Sequence, residues 1–183
     1  LCCHRRFGKS VLCILHLIKC AMTNKHHNPR FAYIAPTYSQ CKKIAWDYLK
    51  HYTQKIPGTK YNETELRCDF INGARISLLS SENPDSIRGI YLDGCIIDEA
   101  AMISENLINE VITPALSDRK GFMIMVGTPK GMNNLFYDYF QKAQASNNWF
   151  LYRAKASETG IVDKEELKAA LAVMGKDKYS QEF

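Results

Sequence analysis

Hydrophobic and polar positions change along the chain in blocks that predict helices and strands in turn. Residues 10–24 carry apolar side chains at helical spacing on one broad face, which predicts an amphipathic helix. Residues 31–36 form a continuous apolar run that ends at a proline, which is typical of a short buried strand. Ser39 is a favoured helix N-cap residue, and it predicts a second helix to about residue 54.

The rest of the chain continues this alternation. Two strand-like runs flank Asn72 and Gly73, a dipeptide that predicts a hairpin. The predicted strands are at 66–70, 75–79, 91–97, 122–126 and 149–155, and the predicted helices are near 105–112, after 133 to about 145, and at 163–174. Because continuous apolar strands alternate with helices, the sequence predicts an α/β fold with a mostly parallel sheet flanked by helices, in three α/β/α layers.

Length and composition indicate one globular domain. The chain has 183 residues, of which 46% are hydrophobic and 23% charged, enough for one core. It has no run of eighteen apolar residues, so no membrane span is expected. The seven cysteines are odd in number and lack CxxC spacing, which predicts free thiols in a reduced, intracellular protein.

The charge is distributed unevenly along the chain. Residues 1–60 hold 11 Lys and Arg against one acidic residue, Asp47, whereas residues 61–120 hold 5 against 11. A basic first third suits a polyanionic partner, either nucleotide phosphate or a nucleic-acid backbone. A solvated basic face is the alternative interpretation.

The segment 5–10 (RRFGKS) leads directly into the first predicted helix. Gly-Lys-Ser before a helix is the core of a phosphate-binding loop, in which backbone N–H groups and a lysine hold the β- and γ-phosphates and the serine hydroxyl faces Mg²⁺. The usual pattern has a glycine six residues before the lysine, where this chain has Cys3. By itself the loop is either a chance match or a specialised variant.

Two further segments carry candidate chemistry at strand ends. The segment 94–99 (GCIIDE) places Asp98 where a carboxylate can hold Mg²⁺ in an open α/β sheet, and Glu99 beside it could orient or deprotonate water. The apolar run that ends at Gly127, Thr128 and Pro129 could sense the γ-phosphate through the threonine hydroxyl. An exposed acidic pair and a plain strand-to-turn junction are the alternatives.

Cys2, Cys3 and His4 are soft metal ligands in a row. Three adjacent residues cannot easily reach one tetrahedral ion, and the sequence offers no evident fourth ligand. We therefore interpret the segment as the end of a strand that feeds the loop.

Taken together, these segments resemble the ATPase domain of the large terminase subunit, the DNA-packaging motor of tailed bacteriophages. The resemblance covers nearly the whole chain. It rests on the arginine-rich loop at 5–10, the acidic strand end at 96–99, the motif at 127–129, and the segments 33–40 (YIAPTYSQ) and 83–89 (NPDSIRG), in that order along the chain.

The resemblance implies a role for each matching residue. The nucleotide-binding residues would be Arg6, Phe7, Gly8, Lys9 and Ser10. Lys9 would bind the β- and γ-phosphates of ATP, Ser10 and Asp98 would hold Mg²⁺, and Glu99 would activate water. Arg5 would stabilise transition-state charge, although Arg6 is close enough to take that role. Gly127, Thr128 and Pro129 would couple hydrolysis to motion. Arg88 could contact a neighbouring subunit's nucleotide or DNA, or form a structural ion pair.

The resemblance also implies partners and missing parts. It implies double-stranded DNA, a portal protein, a small terminase subunit and a homo-oligomeric ring on the capsid, with no membrane, in the host-cell cytoplasm. We expect residues 1–183 to be one P-loop ATPase domain truncated at its N-terminus, with a nuclease domain beyond residue 183 and no nuclease activity in this chain. A helicase-like DNA-dependent ATPase and a non-hydrolysing nucleotide-binding assembly module are the alternative functions.

Overall fold

The computed structural model of the protein describes residues 1–175 and residue 179. Its residues group into two compact units. Unit 1 comprises Leu1–Lys9, Glu99–Met102 and the described residues from Met125 onward, and unit 2 comprises Ser10–Asp98 and Ile103–Ile124.

Unit 2 is built on a six-stranded sheet flanked by helices. Its strands are β2 (Arg30–Ala35), β3 (Lys60–Asn62), β4 (Arg67–Asp69), β5 (Arg75–Ser80), β6 (Gly94–Ile97) and β7 (Phe122–Met125). They lie in the order β3-β4-β5-β2-β6-β7. Strand β2 pairs in parallel with β5 and β6, whereas β3, β4 and β5 are antiparallel neighbours. The prediction of an α/β fold with a mostly parallel sheet is confirmed.

The helices of unit 2 begin and end close to the predicted positions. Helix α1 is Lys9–Thr23, and the second helical stretch runs through α2 (Tyr38–Gln40), a π-helical turn (Cys41–Ala45) and α3 (Trp46–Thr53). A third stretch comprises α4 (Glu105–Leu107), a π-helical turn (Ile108–Ile112) and α5 (Thr113–Ser117). The predicted N-cap at Ser39 is wrong. Thr37 caps the helix, because its side chain accepts from the Gln40 N–H while the Gln40 side chain accepts from the Thr37 N–H.

The core of unit 2 lies between this sheet and its helices. Apolar side chains from α1, α3 and the parallel strands are almost fully buried, among them Ile14, Leu17, Phe31, Trp46, Leu49, Ile76 and Ile96. The predicted hairpin is present, and Gly73 takes a left-handed φ of 83° in its turn. The core therefore fixes the parallel strands whose carboxyl ends carry the candidate site.

The described residues of unit 1 form a small parallel sheet and α-helices. Strand β1 (Cys2–Cys3) pairs with β8 (Arg153–Ala154), and Cys2 also forms a parallel bridge with Gly127. The helices are α6 (Leu135–Ala145), α7 (Ala156–Thr159) and α8 (Lys164–Met174), which begin after Asn134, Lys155 and Asp163. The strand predicted at 149–155 is shorter than expected, since only β8 is regular within it. Among the described helices, none combines the length and the apolar character that crossing a membrane requires.

Candidate active site

In unit 1, the Lys9 side chain contacts the backbone at the beginning of the phosphate-binding loop. The Lys9 ammonium donates to the carbonyl oxygens of Cys3 at 3.1 Å and of His4 at 2.9 Å. Gly8 has a φ of 86°, and a Cβ atom there would meet no other atom within 4 Å. Gly8 is therefore required by the backbone conformation of the loop and not by crowding.

His4 fixes the start of this loop. Its side chain is 2% exposed, its Nδ1 donates to the Arg5 carbonyl at 2.5 Å, and its Nε2 lies 2.9 Å from the Thr159 hydroxyl. Phe7 packs edge-on against the His4 ring, with 5.4 Å between the centroids. The interpretation of Cys2 and Cys3 as a strand that feeds the loop agrees with β1.

Cys2 and Cys3 are buried free thiols. Burial raises the pKa of both. Within the described part of the chain, no group of three or more His, Cys, Asp or Glu side chains is arranged to hold a metal ion.

The two arginines of the loop have different surroundings. Arg6, at a left-handed φ of 63°, forms an ion pair with Glu166 of α8, and the two side chains are 67% and 45% exposed. Arg5 is also exposed. The assignment of transition-state stabilisation between Arg5 and Arg6 stays a prediction.

The segment 127–129 lies against the loop strand in unit 1. The Cys3 N–H donates to the Gly127 carbonyl at 3.1 Å, and the Gly127 N–H donates to the Leu1 carbonyl at 3.2 Å. A Cβ atom on Gly127 would lie 3.3 Å from the Ala100 nitrogen and 3.7 Å from the Glu99 Cα. The structure thus brings the loop strand, Gly127 and the Glu99 backbone together, with Thr128 buried and Pro129 half-buried.

Glu99 has an unusual backbone conformation. Its φ is 49°, in the left-handed region, where a residue with a Cβ atom costs roughly 1–2 kcal/mol. The conformation is held because the Glu99 carbonyl accepts from the Met102 N–H at 2.8 Å and the Ala100 N–H donates to the Val126 carbonyl at 3.1 Å. Strain of this kind is concentrated at functional sites.

In unit 2, Ser10, Tyr33 and Asp98 form a group of neighbouring polar side chains. Asp98 follows β6, and its N–H donates to the Ile34 carbonyl at 2.8 Å. The Tyr33 hydroxyl donates to Asp98 Oδ2. The Ser10 side chain lies beside Tyr33, where it opposes the rise in the pKa of Tyr33. Burial and the neighbouring Asp98 carboxylate raise the pKa of Tyr33, so its hydroxyl stays a donor.

The donor set of this group fits a magnesium ion. Mg²⁺ prefers oxygen ligands and is usually bound by one or two protein oxygens together with substrate phosphates. Ser10 offers a hydroxyl oxygen at the start of α1 and Asp98 a half-buried carboxylate. Within unit 2 the structure therefore brings together the two residues predicted to hold the ion.

In the sequence, Tyr33 stands out only as part of the segment 33–40, and its contact with Asp98 was not predicted. The register of the neighbouring strands contains the information that predicts this contact. Tyr33 pairs with Ile96, and Asp98 is two residues further along the chain. Since side chains two residues apart lie on the same face of a sheet, Tyr33 and Asp98 face the same side. Predicting the pairing of β2 with β6 would have identified the contact.

Comparison with known proteins gives one family. The family model described as "Terminase large subunit, T4likevirus-type, N-terminal" matches residues 5–173. The large terminase subunit of Thermus phage G20c is 48% identical over 61 residues, which cover 33% of this chain and 12% of that protein. The large terminase subunit of Escherichia phage T5 is 23% identical over 189 residues, covering 100% of this chain and 42% of that protein. The chain thus spans less than half the length of these relatives.

Solved structures share the fold. The large terminase ATPase domain of Thermus phage P74-26 matches with a TM-score of 0.81 at 23% identity, covering 100% of this chain and 85% of that one. The large terminase of a thermophilic bacteriophage, solved in complex with ADP, matches with a TM-score of 0.77 at 16% identity, covering 99% and 46%.

Proposed function

The chain belongs to the N-terminal domain family of T4likevirus-type terminase large subunits, and on this premise we propose that it hydrolyses ATP with Mg²⁺ to drive double-stranded DNA into a viral capsid. The observation that carries the proposal is the Ser10–Tyr33–Asp98 group. A phosphate-loop hydroxyl and a strand-end carboxylate that both neighbour one tyrosine are suited to a magnesium–nucleotide complex. The ADP complex of the thermophilic phage terminase supports nucleotide as the ligand.

We assign the steps of hydrolysis to individual side chains. Lys9, which donates to two loop carbonyls, would donate to the β- and γ-phosphates of bound ATP. Glu99 would accept a proton from the attacking water. Arg5, with Arg6 as the alternative, would stabilise the charge that develops on the γ-phosphoryl group.

Magnesium would be held by Ser10 and Asp98, where it would neutralise phosphate charge. Tyr33 would orient the Asp98 carboxylate by donating to it. The backbone N–H groups of Phe7 and Gly8 would donate to the phosphates. The segment Gly127, Thr128 and Pro129, which adjoins the loop strand, would pass the loss of the γ-phosphate to a moving part.

The partners follow from family membership and charge. The 11 basic residues in positions 1–60 suit the DNA backbone, which a translocase grips without reading sequence. We propose that the protein works as a homo-oligomeric ring docked on the capsid in the host cytoplasm, with a portal protein and a small terminase subunit. A nuclease domain beyond residue 183 and the lack of nuclease activity in residues 1–183 stay predictions.

The test uses phosphate release by the intact protein with and without duplex DNA. Glu99→Gln should lower the turnover rate about 100-fold or more while ATP binding is retained, because it removes only the proton acceptor. Lys9→Ala should weaken ATP binding itself. Glu105→Gln, which changes an exposed carboxylate on α4, is the matched control and should change neither.

Unchanged turnover in Glu99→Gln would contradict the proposal. A wild-type protein that binds ATP and releases no phosphate, even with DNA, would instead be an assembly module. Separation of the two DNA strands during ATP turnover would favour the helicase-like alternative.

A further inference from the structure

A basic cluster surrounds Tyr91 at the amino ends of the parallel strands in unit 2. Arg30 is the first residue of β2, Tyr91 precedes β6, and Arg119 precedes β7. The Arg119 guanidinium lies 4.3 Å from the centroid of the Tyr91 ring, and the Arg30 guanidinium lies 6.0 Å from it. With Lys120, which follows Arg119 in the sequence, these residues are called the Tyr91 cluster below.

Arg30 and Arg119 are held in place, and each keeps guanidinium N–H groups that make no hydrogen bond within residues 1–175. Arg30 Nη1 donates to the Gly73 carbonyl at 2.8 Å, and the Tyr91 hydroxyl donates to the Asn28 carbonyl at 3.0 Å. Within residues 1–175, Arg30 Nε and Nη2 make no hydrogen bond, and Arg119 makes neither a hydrogen bond nor an ion pair. Fixed guanidinium groups with remaining N–H donors lose little entropy when they bind an anion.

The charge of the cluster is only partly compensated. Lys120 is exposed and directly follows Arg119, and Asp118, which directly precedes Arg119, is an exposed carboxylate. Asp93 is 5% exposed, and both of its carboxylate oxygens already accept hydrogen bonds, from the Arg30 N–H at 2.8 Å and from His26 at 2.5 Å. The surface therefore presents an excess of positive charge.

The cluster is separate from the Ser10–Tyr33–Asp98 group. Asp93 and Asp98 stand at opposite ends of β6, five residues apart, which is about 16 Å along an extended strand. A nucleotide phosphate bound near Asp98 does not reach this edge of the sheet. The proposed ATPase mechanism leaves the cluster without a role.

We propose that the Tyr91 cluster binds backbone phosphates of double-stranded DNA. Arginine and lysine side chains at fixed positions are the groups that contact phosphates in sequence-independent binding. Among polyanions, DNA is favoured because it is the polymer that the proposed function has the protein hold. The inference rests on the proposed function for its choice of polyanion, and it adds a surface that the ATPase mechanism does not include.

The experiment measures the affinity of the intact protein for a 30-base-pair duplex, roughly three helical turns, across a series of salt concentrations. Arg119→Gln/Lys120→Gln should weaken binding about tenfold or more and reduce the salt slope by about 2, because two phosphate contacts are lost. Lys164→Gln/Lys168→Gln removes the same charge from the exposed face of α8 and should leave affinity and slope near wild type. Arg119→Lys/Lys120→Arg keeps the charge and should retain the slope.

Basal ATP turnover without DNA should be equal in all these variants, which shows that they fold. The proposal would be overturned if Arg119→Gln/Lys120→Gln and Lys164→Gln/Lys168→Gln lost DNA affinity equally, or if neither lost any. A cluster variant that keeps DNA affinity but loses binding to polyglutamate would assign the surface to an acidic protein instead. If wild type hydrolyses no ATP while the cluster variant still loses DNA affinity, the proposed ATPase function fails and the surface stands.

Discussion

The Tyr33 hydroxyl donates a hydrogen bond to the Asp98 carboxylate from the neighbouring strand of the sheet. Tyr33 is 2% exposed, so its side chain cannot turn away into solvent. The Asp98 carboxylate therefore has one oxygen fixed by a rigid donor. A carboxylate held this way is oriented before it meets a cation.

Removing this donor should weaken magnesium activation. In Tyr33→Phe, we expect the Mg²⁺ concentration for half-maximal ATP turnover to rise about tenfold, because partners behind a metal ligand typically contribute that much. The measurement is a Mg²⁺ titration at saturating ATP. Tyr38→Phe is the control, since the Tyr38 hydroxyl has a 3.4 Å contact with the Thr64 carbonyl in an exposed position. Equal Mg²⁺ requirements in Tyr33→Phe and wild type would show that Asp98 needs no orientation.

The same tyrosine should make stability fall at high pH. Burial and the Asp98 carboxylate raise the pKa of Tyr33 in the folded state above the ordinary value of 10.0. Above pH 10 the unfolded chain releases this proton while the folded chain keeps it, so the free energy of unfolding decreases as pH rises. Below pH 10 both states are protonated and Tyr33 adds no pH dependence. Urea unfolding at pH 9 and pH 11 should show a larger loss for wild type than for Tyr33→Phe.

The sequence predicted the elements with strong periodicity and missed those that depend on distant partners. Helix α1 and the strands β2 and β5 were confirmed because their apolar patterns reflect their own burial. Strand β3 was missed, since it is a short polar strand with exposed residues that pairs with β4 at the sheet edge. The strand predicted over 149–155 was too long. The apolar composition favours a strand throughout the segment, but only β8 within it pairs with another strand, β1.

Prediction of the candidate site was limited in the same way. The loop and the acidic strand end were identified from local motifs, which report residue types near one another in sequence. The contacts of His4 with Thr159 and of Arg6 with Glu166 join residues more than 150 positions apart. No local pattern contains that information. The Thr37 N-cap, by contrast, could have been predicted, because Gln40 stands three residues later as a capping box requires.

At position 99, a glycine variant should be more stable than an alanine variant. At a φ of 49°, Glu99→Gly should be more stable than Glu99→Ala by about 0.5–1 kcal/mol, because glycine has no Cβ atom to strain the left-handed conformation. Urea unfolding of the two variants gives the difference directly. Glu110, inside a helical stretch, is the matched control, where glycine should be less stable than alanine by about 1 kcal/mol. The same sign at both positions would show that Glu99 carries no backbone strain.

Cysteine reactivity should separate buried from partly exposed thiols. All seven cysteines are free, and burial raises the pKa of Cys95 to about 12 and that of Cys41 and Cys68 to about 11. These three thiols are both protonated at pH 8 and inaccessible, so iodoacetamide should leave them unmodified in the folded protein. Cys20 on α1 is half-buried and should be alkylated first, although burial also raises its pKa. Mass spectrometry of peptides from the native and the urea-unfolded protein measures the order. Early modification of Cys95 under native conditions would mean that the centre of the sheet opens on the timescale of labelling.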